Sequence, residues 1–232
     1  MFSQGDIVTY LEMCQREGRN LQRGMNFRTH ADHSVILMSQ RPNAPYRDRI
    51  EDDGRTLIYE GHDAPRTQGG PDPKTLDQPL TTSAGQPTQN GHFWKAAHLH
   101  KCGQSPPHRV HVYEKLRPGI WVFNGVFDLR DAWLEEDDRR VVCRFRLTLR
   151  EPEPELGQAS RASDLDHTRL IPSHVKQEVW KRDGGRCRIC GATDNLHFDH
   201  IIPYSRGGSS LVGENIQLLC ARHNLAKRDR IE

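Results

Sequence analysis

The pair Cys187-x-x-Cys190, followed thirty residues later by Cys220-x-x-His223, constrains this chain more than any other feature. Each short pair can close a tight knuckle, and two knuckles brought together hold one ion in a tetrahedron of soft ligands. Gly191 directly after Cys190 supplies the turn that a knuckle needs. Residues 172–232 are too few to bury a large core, so a structural Zn²⁺ would supply stability they otherwise lack. Between the knuckles lie Asp199-His200 and Asn215, and Asn224 directly follows the last knuckle residue. The oxygen donors of Asp199 and Asn224 suit a hard divalent ion, Mg²⁺ or Mn²⁺, where the Cys/His set suits zinc. His200 can act as a neutral general base on water near physiological pH, and a metal beside it would stabilise charge on a phosphate oxygen and the leaving group. His197, two residues before Asp199, would share its strand face and is a candidate helper.

The run CRICGATDNLHFDHIIPYSRGGSSLVGENIQLLCARHNLAKRDR resembles the zinc-knuckle branch of the HNH (ββα-metal) endonucleases, over about residues 172–232. The resemblance implies that His200 activates water, that Asp199 and Asn224 hold the catalytic ion, and that Asn215 braces the catalytic loop. Lys227 falls where the family often carries a basic residue near the scissile phosphate. Cys187, Cys190, Cys220 and His223 would hold the zinc, with His223 standing where many members have a fourth Cys. One such site cuts one strand, so a double-strand break favours a homodimer. So small a unit has little surface for reading bases, and specificity is expected from the first 150 residues.

A length of 232 residues suits one large domain or two small ones. The segment 151–171, EPEPELGQASRASDLDHTRLI, reads as a linker, since its alternating Pro and Glu fix extended backbone and show no apolar period. This divides the chain into 1–150, a linker at 151–171, and 172–232. Before the linker, β-branched and aromatic runs predict strands at 33–39, 56–60, 109–115, 121–129 and 141–149. In the last of these, apolar and basic residues alternate as in a half-buried strand. Helices are predicted at 7–16 and 90–98, and a Ser173-capped helix at 173–182. The class is therefore α+β, a mainly-β N-terminal domain, barrel-like, joined to a small C-terminal unit. Residues 62–89 read as a long polar loop of the kind that carries function.

Four N-terminal segments resemble, in order, the SRA (SET- and RING-associated) readers of modified cytosine, which have a PUA-like barrel. They are DHSVILM at 32–38, YRDRIEDDGRTLIYEG at 46–61, TLDQPLTTSAGQPTQNGHFWKAA at 75–97, and the strands at 109–133 with 140–154. The family's Tyr-Asp-Gly-x-Tyr stretch is here Phe123-Asn124-Gly125-Val126-Phe127, which keeps the aromatic pair and loses the Asp. Reading a methylated base thoroughly requires flipping it from the stack, at a cost offset by stacking and by bonds to its Watson–Crick edge. Tyr46 and Tyr59 are expected on either side of a concave mouth. Asp48 would accept from the cytosine N4 amino group, with Asp52 and Asp53 as alternatives. Arg66 and Gln68, in the long loop, are candidates to enter a groove. His98-x-His100-x-Cys102, with His108 and His111, is metal-like in composition but has no knuckle turn, and reads as strand histidines.

Net charge divides as +2, −3 and +3 over the three segments, which permits nucleic-acid binding without demanding it. No apolar run approaches the ~20 residues a bilayer needs. The opening MFSQGDIVTY lacks a basic region ahead of an apolar core, and six Cys do not make a disulfide scaffold in a chain of this length, so the reducing cytoplasm is expected. The whole predicts a modification-dependent DNA endonuclease acting on double-stranded DNA with 5-methylcytosine or 5-hydroxymethylcytosine. The alternatives are an HNH nicking or homing-type nuclease reading unmodified DNA, and a zinc-supported modified-DNA binder that does not cut.

Overall fold

The computed structural model describes residues 2–51, 54–137, 139–150, 170–203 and 206–227. The first part of the chain is built on an eight-stranded sheet. Its strands are β1 (Ile7–Thr9), β2 (Met25–Asn26), β3 (His33–Met38), β4 (Arg49–Ile50), β5 (Thr56–Glu60), β6 (His108–Arg117), β7 (Ile120–Glu136) and β8 (Val141–Leu149). They run in the order β2-β3-β6-β7-β8-β5-β4, with β1 on β7. Only the β3–β6 ladder is parallel among the described pairs, and β7 is long enough to serve β1, β6 and β8. Helices α1 (Tyr10–Arg16) and α2 (Gln89–Lys101) complete this part. The α+β class therefore holds, with a mainly-β N-terminal part and a small C-terminal unit.

Five predicted strands are present, two of them with the predicted bounds. All five residues of β5 are buried, so this strand has no polar face. Its core neighbours include Phe93 of α2, Phe127 and Phe145. Burying Glu60 requires compensation, and Arg144 Nη1 and Arg140 Nη2 lie 3.1 and 3.2 Å from its carboxylate oxygens. That explains one departure from alternation in β8: Arg144 is buried rather than solvated. The helix predicted at 7–16 begins only at Tyr10, because Thr9 and Glu12 form a reciprocal capping box and residues 7–9 pair with β7. His98 and His100 lie on α2, not on a strand, and His98 Nε2 meets Cys102 Sγ one turn later at 3.6 Å.

The C-terminal unit consists of α3 (Ser173–Asp183), an antiparallel pair β9 (Leu196–His200) and β10 (Ile216–Cys220), and α4 (Ala221–Lys227). Ser173 does not cap α3, whose N-cap is Pro172; its hydroxyl donates instead to Gln40 Oε1 at 2.5 Å. Most of the predicted linker lies outside the described residues. Its last two residues are buried, Leu170 in the N-terminal core and Ile171 in the C-terminal one.

The two parts pack directly together. Val175, Val179, Phe198, Ile216 and Leu218 share one apolar cluster with Leu116 and Val122 of β6 and β7. The N-terminal segment also reaches β9, where Gly5 O accepts from Phe198 N and Asp6 bridges to His197. At the centre of this contact Lys176 Nζ lies 2.6 Å from Glu114 Oε2 and donates to Asn124 Oδ1 at 2.7 Å, all three residues being buried. Breaking a buried pair strands a charge at a cost of ~3–5 kcal/mol. Lys176→Ala should therefore lower the melting temperature by on the order of 10 °C, and a melt unchanged from the wild type would show that the pair is solvated.

Candidate metal and modified-base sites

The knuckle residues converge. Cys187 Sγ and Cys220 Sγ lie 3.4 and 3.3 Å from His223 Nδ1, and Cys190 Sγ lies 3.8 Å from Cys220 Sγ. All four donor atoms fall within 4.8 Å of one another. A tetrahedron with zinc–sulfur bonds of ~2.3 Å has edges of about 3.8 Å, so the donors fit one such ion. Gly191, at φ +74°, turns the first knuckle and its N–H bonds Cys187 O at 2.8 Å. Burial alone would raise the Cys187 thiol, but the backbone amides of Cys190, Cys220 and Ile189 and the His223 ring together bring it down to about 6. A thiol poised as thiolate is what a metal ligand requires.

On the opposite side of the unit, β9 carries Asp199 and His200. The His200 ring is oriented by Ser210 Oγ, 2.8 Å from Nε2. Asn215 binds the turn after β9 on both sides: its Oδ1 accepts from Ile202 N, and its Nδ2 donates to the carbonyls of Ile202 and Ser209 at 2.9 and 3.0 Å. Gln217, the register partner of Asp199 across the ladder, donates to Asp199 Oδ2 at 3.2 Å.

Lys227 is buried, and its ammonium contacts Asp199 Oδ2 and the His200 carbonyl. A buried ammonium needs a counter-charge, and Asp199 is the one within reach. Lys227 thereby brings its face of α4 against β9, and Asn224, three residues earlier, shares that face. Asp199 and Asn224 carry the oxygen donors that a hard divalent ion takes, and the Lys227 ammonium occupies Asp199 Oδ2. His197 does not assist there, since its Nδ1 lies 2.5 Å from Asp6 Oδ1.

The N-terminal candidates gather around His62, which the sequence did not single out. Its ring stacks on Tyr46 with centroids 5.7 Å apart, and its Nε2 lies 3.4 Å from the Tyr59 hydroxyl. Gly24 closes the other side, where a Cβ would come within 2.6 Å of that hydroxyl and 2.8 Å of His62 Nε2. Tyr46 is half-buried, but Tyr59 is 1% exposed and packs in the main core, so it does not flank an open mouth as expected. The reason is local: β5 is covered on both faces. Asp48 accepts from Ser39 N and Glu60 N, both at 3.1 Å. Burial pushes its carboxyl up to about 7, against the lowering effect of those amides. Burial likewise drives His62 down to about 4, leaving it neutral. Asp52 and Asp53 lie outside the described residues. Arg66 and Gln68 are exposed.

The raised Asp48 carboxyl gives a signed prediction. Its folded pKa exceeds the unfolded value, so its contribution to stability is present at low pH and is lost as pH rises through about 7. The loss of melting temperature between pH 4 and pH 7.5 should be smaller in Asp48→Asn than in the wild type. Parallel losses would show that Asp48 is ionised throughout.

Elsewhere a cavity of about 840 Å³ opens against α2, lined by Arg28, Lys95, Arg109, Arg130 and Arg150 together with Asp32 and Asp128. These cations are dispersed in sequence, and only the fold assembles them.

No curated protein matches the chain. Among solved structures it is similar to the SRA domain of SUVH5 in complex with hemimethylated CG DNA, at TM-score 0.44 and 22% identity over 68% of this chain and 94% of that one. It is also similar to the SUVH5 SRA domain bound to fully hydroxymethylated CG DNA, at TM-score 0.46 and 22% identity over 67% and 94%. A third is Arabidopsis thaliana SUVH6 in complex with SAM, at TM-score 0.43 and 17% identity over 86% of this chain and 31% of that one. The segment that contains the knuckles, Asp199-His200, Asn215 and Asn224, residues 187–230, matches the family of HNH endonucleases.

Proposed function

We propose that this chain is a modification-dependent DNA endonuclease of restriction type. The carrying observation is the arrangement within residues 187–227: four knuckle donors converge at one end of the β9–β10 pair, Asp199-His200 stand at the other, and the helix that carries Asn224 contacts Asp199 through Lys227. In this reading Cys187, Cys190, Cys220 and His223 hold a structural Zn²⁺. Asp199 and Asn224 hold Mg²⁺ or Mn²⁺, which supplies charge stabilisation for the phosphate oxygen and leaving group. His200, oriented by Ser210, takes the proton of the attacking water. Asn215 keeps the loop rigid, and Lys227 neutralises Asp199 until DNA and metal arrive.

The N-terminal sheet reads the DNA. Tyr46, half-buried, supplies the stacking ring and Tyr59 the hydroxyl at the pocket floor. Asp48 accepts from the amino group of a flipped 5-methylcytosine or 5-hydroxymethylcytosine. His62 swings away to admit the base. Arg66 and Gln68 approach a groove, and the cationic cavity meets backbone phosphate. A double-strand cut then needs two copies, hence a homodimer, and the free thiols suit the reducing cytoplasm.

One observation favours a second reading. The Lys227 ammonium on Asp199 suits a unit that binds DNA without cutting it. The test incubates the purified protein with methylated duplex in Mg²⁺, in Mn²⁺ and in EDTA. Metal-dependent product supports the nuclease, whereas tight binding with no product in either metal establishes the binder.

A further inference from the structure

Far from both sites, three histidines stack beside a buried glutamate. The ring centroids of His30 and His33 are 4.7 Å apart, and those of His33 and His111 are 3.8 Å apart. Glu17, with a side chain only 1% exposed, caps the C-terminal end of α1 and faces them. Its Oε1 accepts from the Tyr113 hydroxyl at 2.6 Å and lies 2.9 Å from His111 Nδ1. Its Oε2 lies 2.9 Å from His33 Nε2, while His33 Nδ1 lies 2.9 Å from Asp32 Oδ1.

His33 is thus held between two carboxylates, one at each ring nitrogen. A neutral imidazole carries a single N–H. With that hydrogen on Nδ1 toward Asp32, the Nε2 lone pair faces the lone pairs of Glu17 Oε2, and the contact is satisfied either by a second proton, as an imidazolium, or by a metal cation bound to both atoms. Carboxylate, imidazole and metal in line is the arrangement by which proteins orient a histidine ligand. A third ligand is at hand: donor atoms of Glu17, His30 and His33 all lie within 4.8 Å of one another. His30 is exposed, and its ring Nε2 lies 3.1 Å from Glu17 O.

We propose that Glu17, His30 and His33 form a second, thiolate-free site for a divalent first-row transition metal, Zn²⁺ foremost. Two imidazoles and one carboxylate make a donor set that suits such ions and not Mg²⁺ or Ca²⁺. Asp32 orients His33 from outside the ligand set. His111 and Tyr113 hold the second oxygen of Glu17, which leaves the first for the metal. Because His30 is exposed, the fourth position is open to solvent. The ion would tie the end of α1 to the start of β3, and the site owes nothing to the knuckle or to the proposed cleavage chemistry.

The test counts zinc by elemental analysis in full-length wild type, His30→Ala and His33→Ala after equilibration with zinc and desalting. Wild type should carry one zinc per chain more than either variant. His30→Ala removes an exposed side chain, so it reads out even where His33→Ala fails to fold. With Co²⁺ in place of zinc, the spectrum lost on His30→Ala should contain d–d bands without thiolate charge transfer. Equal zinc in wild type and His30→Ala would overturn the site and leave His33 as an imidazolium between two carboxylates. Charge-transfer bands in the lost spectrum would overturn it too, by assigning the ion to the knuckle.

Discussion

His200→Ala should lower the rate of phosphodiester cleavage by about 10²–10⁴-fold, the range for loss of a general base, with affinity for the same duplex unchanged when no divalent metal is added. The ring is partly exposed on β9, and its Nε2 lies 2.8 Å from the Ser210 hydroxyl. Ser210→Ala should reproduce part of the loss, because the imidazole would keep its chemistry but not its orientation. Single-turnover cleavage with saturating protein separates these effects from binding. Wild-type rates in His200→Ala would remove the residue from the chemistry, and a parallel loss of affinity would recast it as a binding group.

The second large effect concerns the knuckle. Cys220→Ser, or treatment with a strong chelator, should unfold the C-terminal unit, since structural zinc contributes on the order of 10–16 kcal/mol in small domains. Cys220 ends β10, and its neighbours Leu218 and Leu219 are fully buried in the cluster that joins the two parts of the chain. Loss of the ion should therefore expose apolar surface on β6 and β7 and lower the stability of the sheet as well. Limited proteolysis would report cuts between residues 172 and 227 appearing first. A Cys220→Ser protein that resists protease and melts like the wild type would show that the fold does not depend on the ion.

How much of this was legible in the sequence differs by site. The knuckle was readable because its four donors lie in two short pairs, whose local backbone decides the geometry. The inward turn of Lys227 was not legible, because whether a lysine snorkels out or turns inward depends on which carboxylate it can reach. Gln217 could have been found from the strand period opposite Asp199; Ser210 could not, in a loop rich in similar residues. Tyr59 was expected at an open mouth because a single strand does not reveal that both of its faces are covered. His62 follows Gly61 with no pattern of its own and acquires meaning only from Tyr46, Tyr59 and Gly24, which three separate segments supply. The Glu17–His33 cluster, split between a helix end and two strands, left no signature beyond the histidine count.

The account's central claim is that the N-terminal sheet makes cutting by the HNH segment conditional on a cytosine modification. It is tested most directly by cleavage rates on two duplexes that differ in a single 5-methyl group, at one Mg²⁺ concentration. The account predicts faster cleavage of the methylated duplex by at least about tenfold, equivalent to ~1.4 kcal/mol of discrimination, and loss of that ratio in Asp48→Ala. Equal rates on the two duplexes would contradict it.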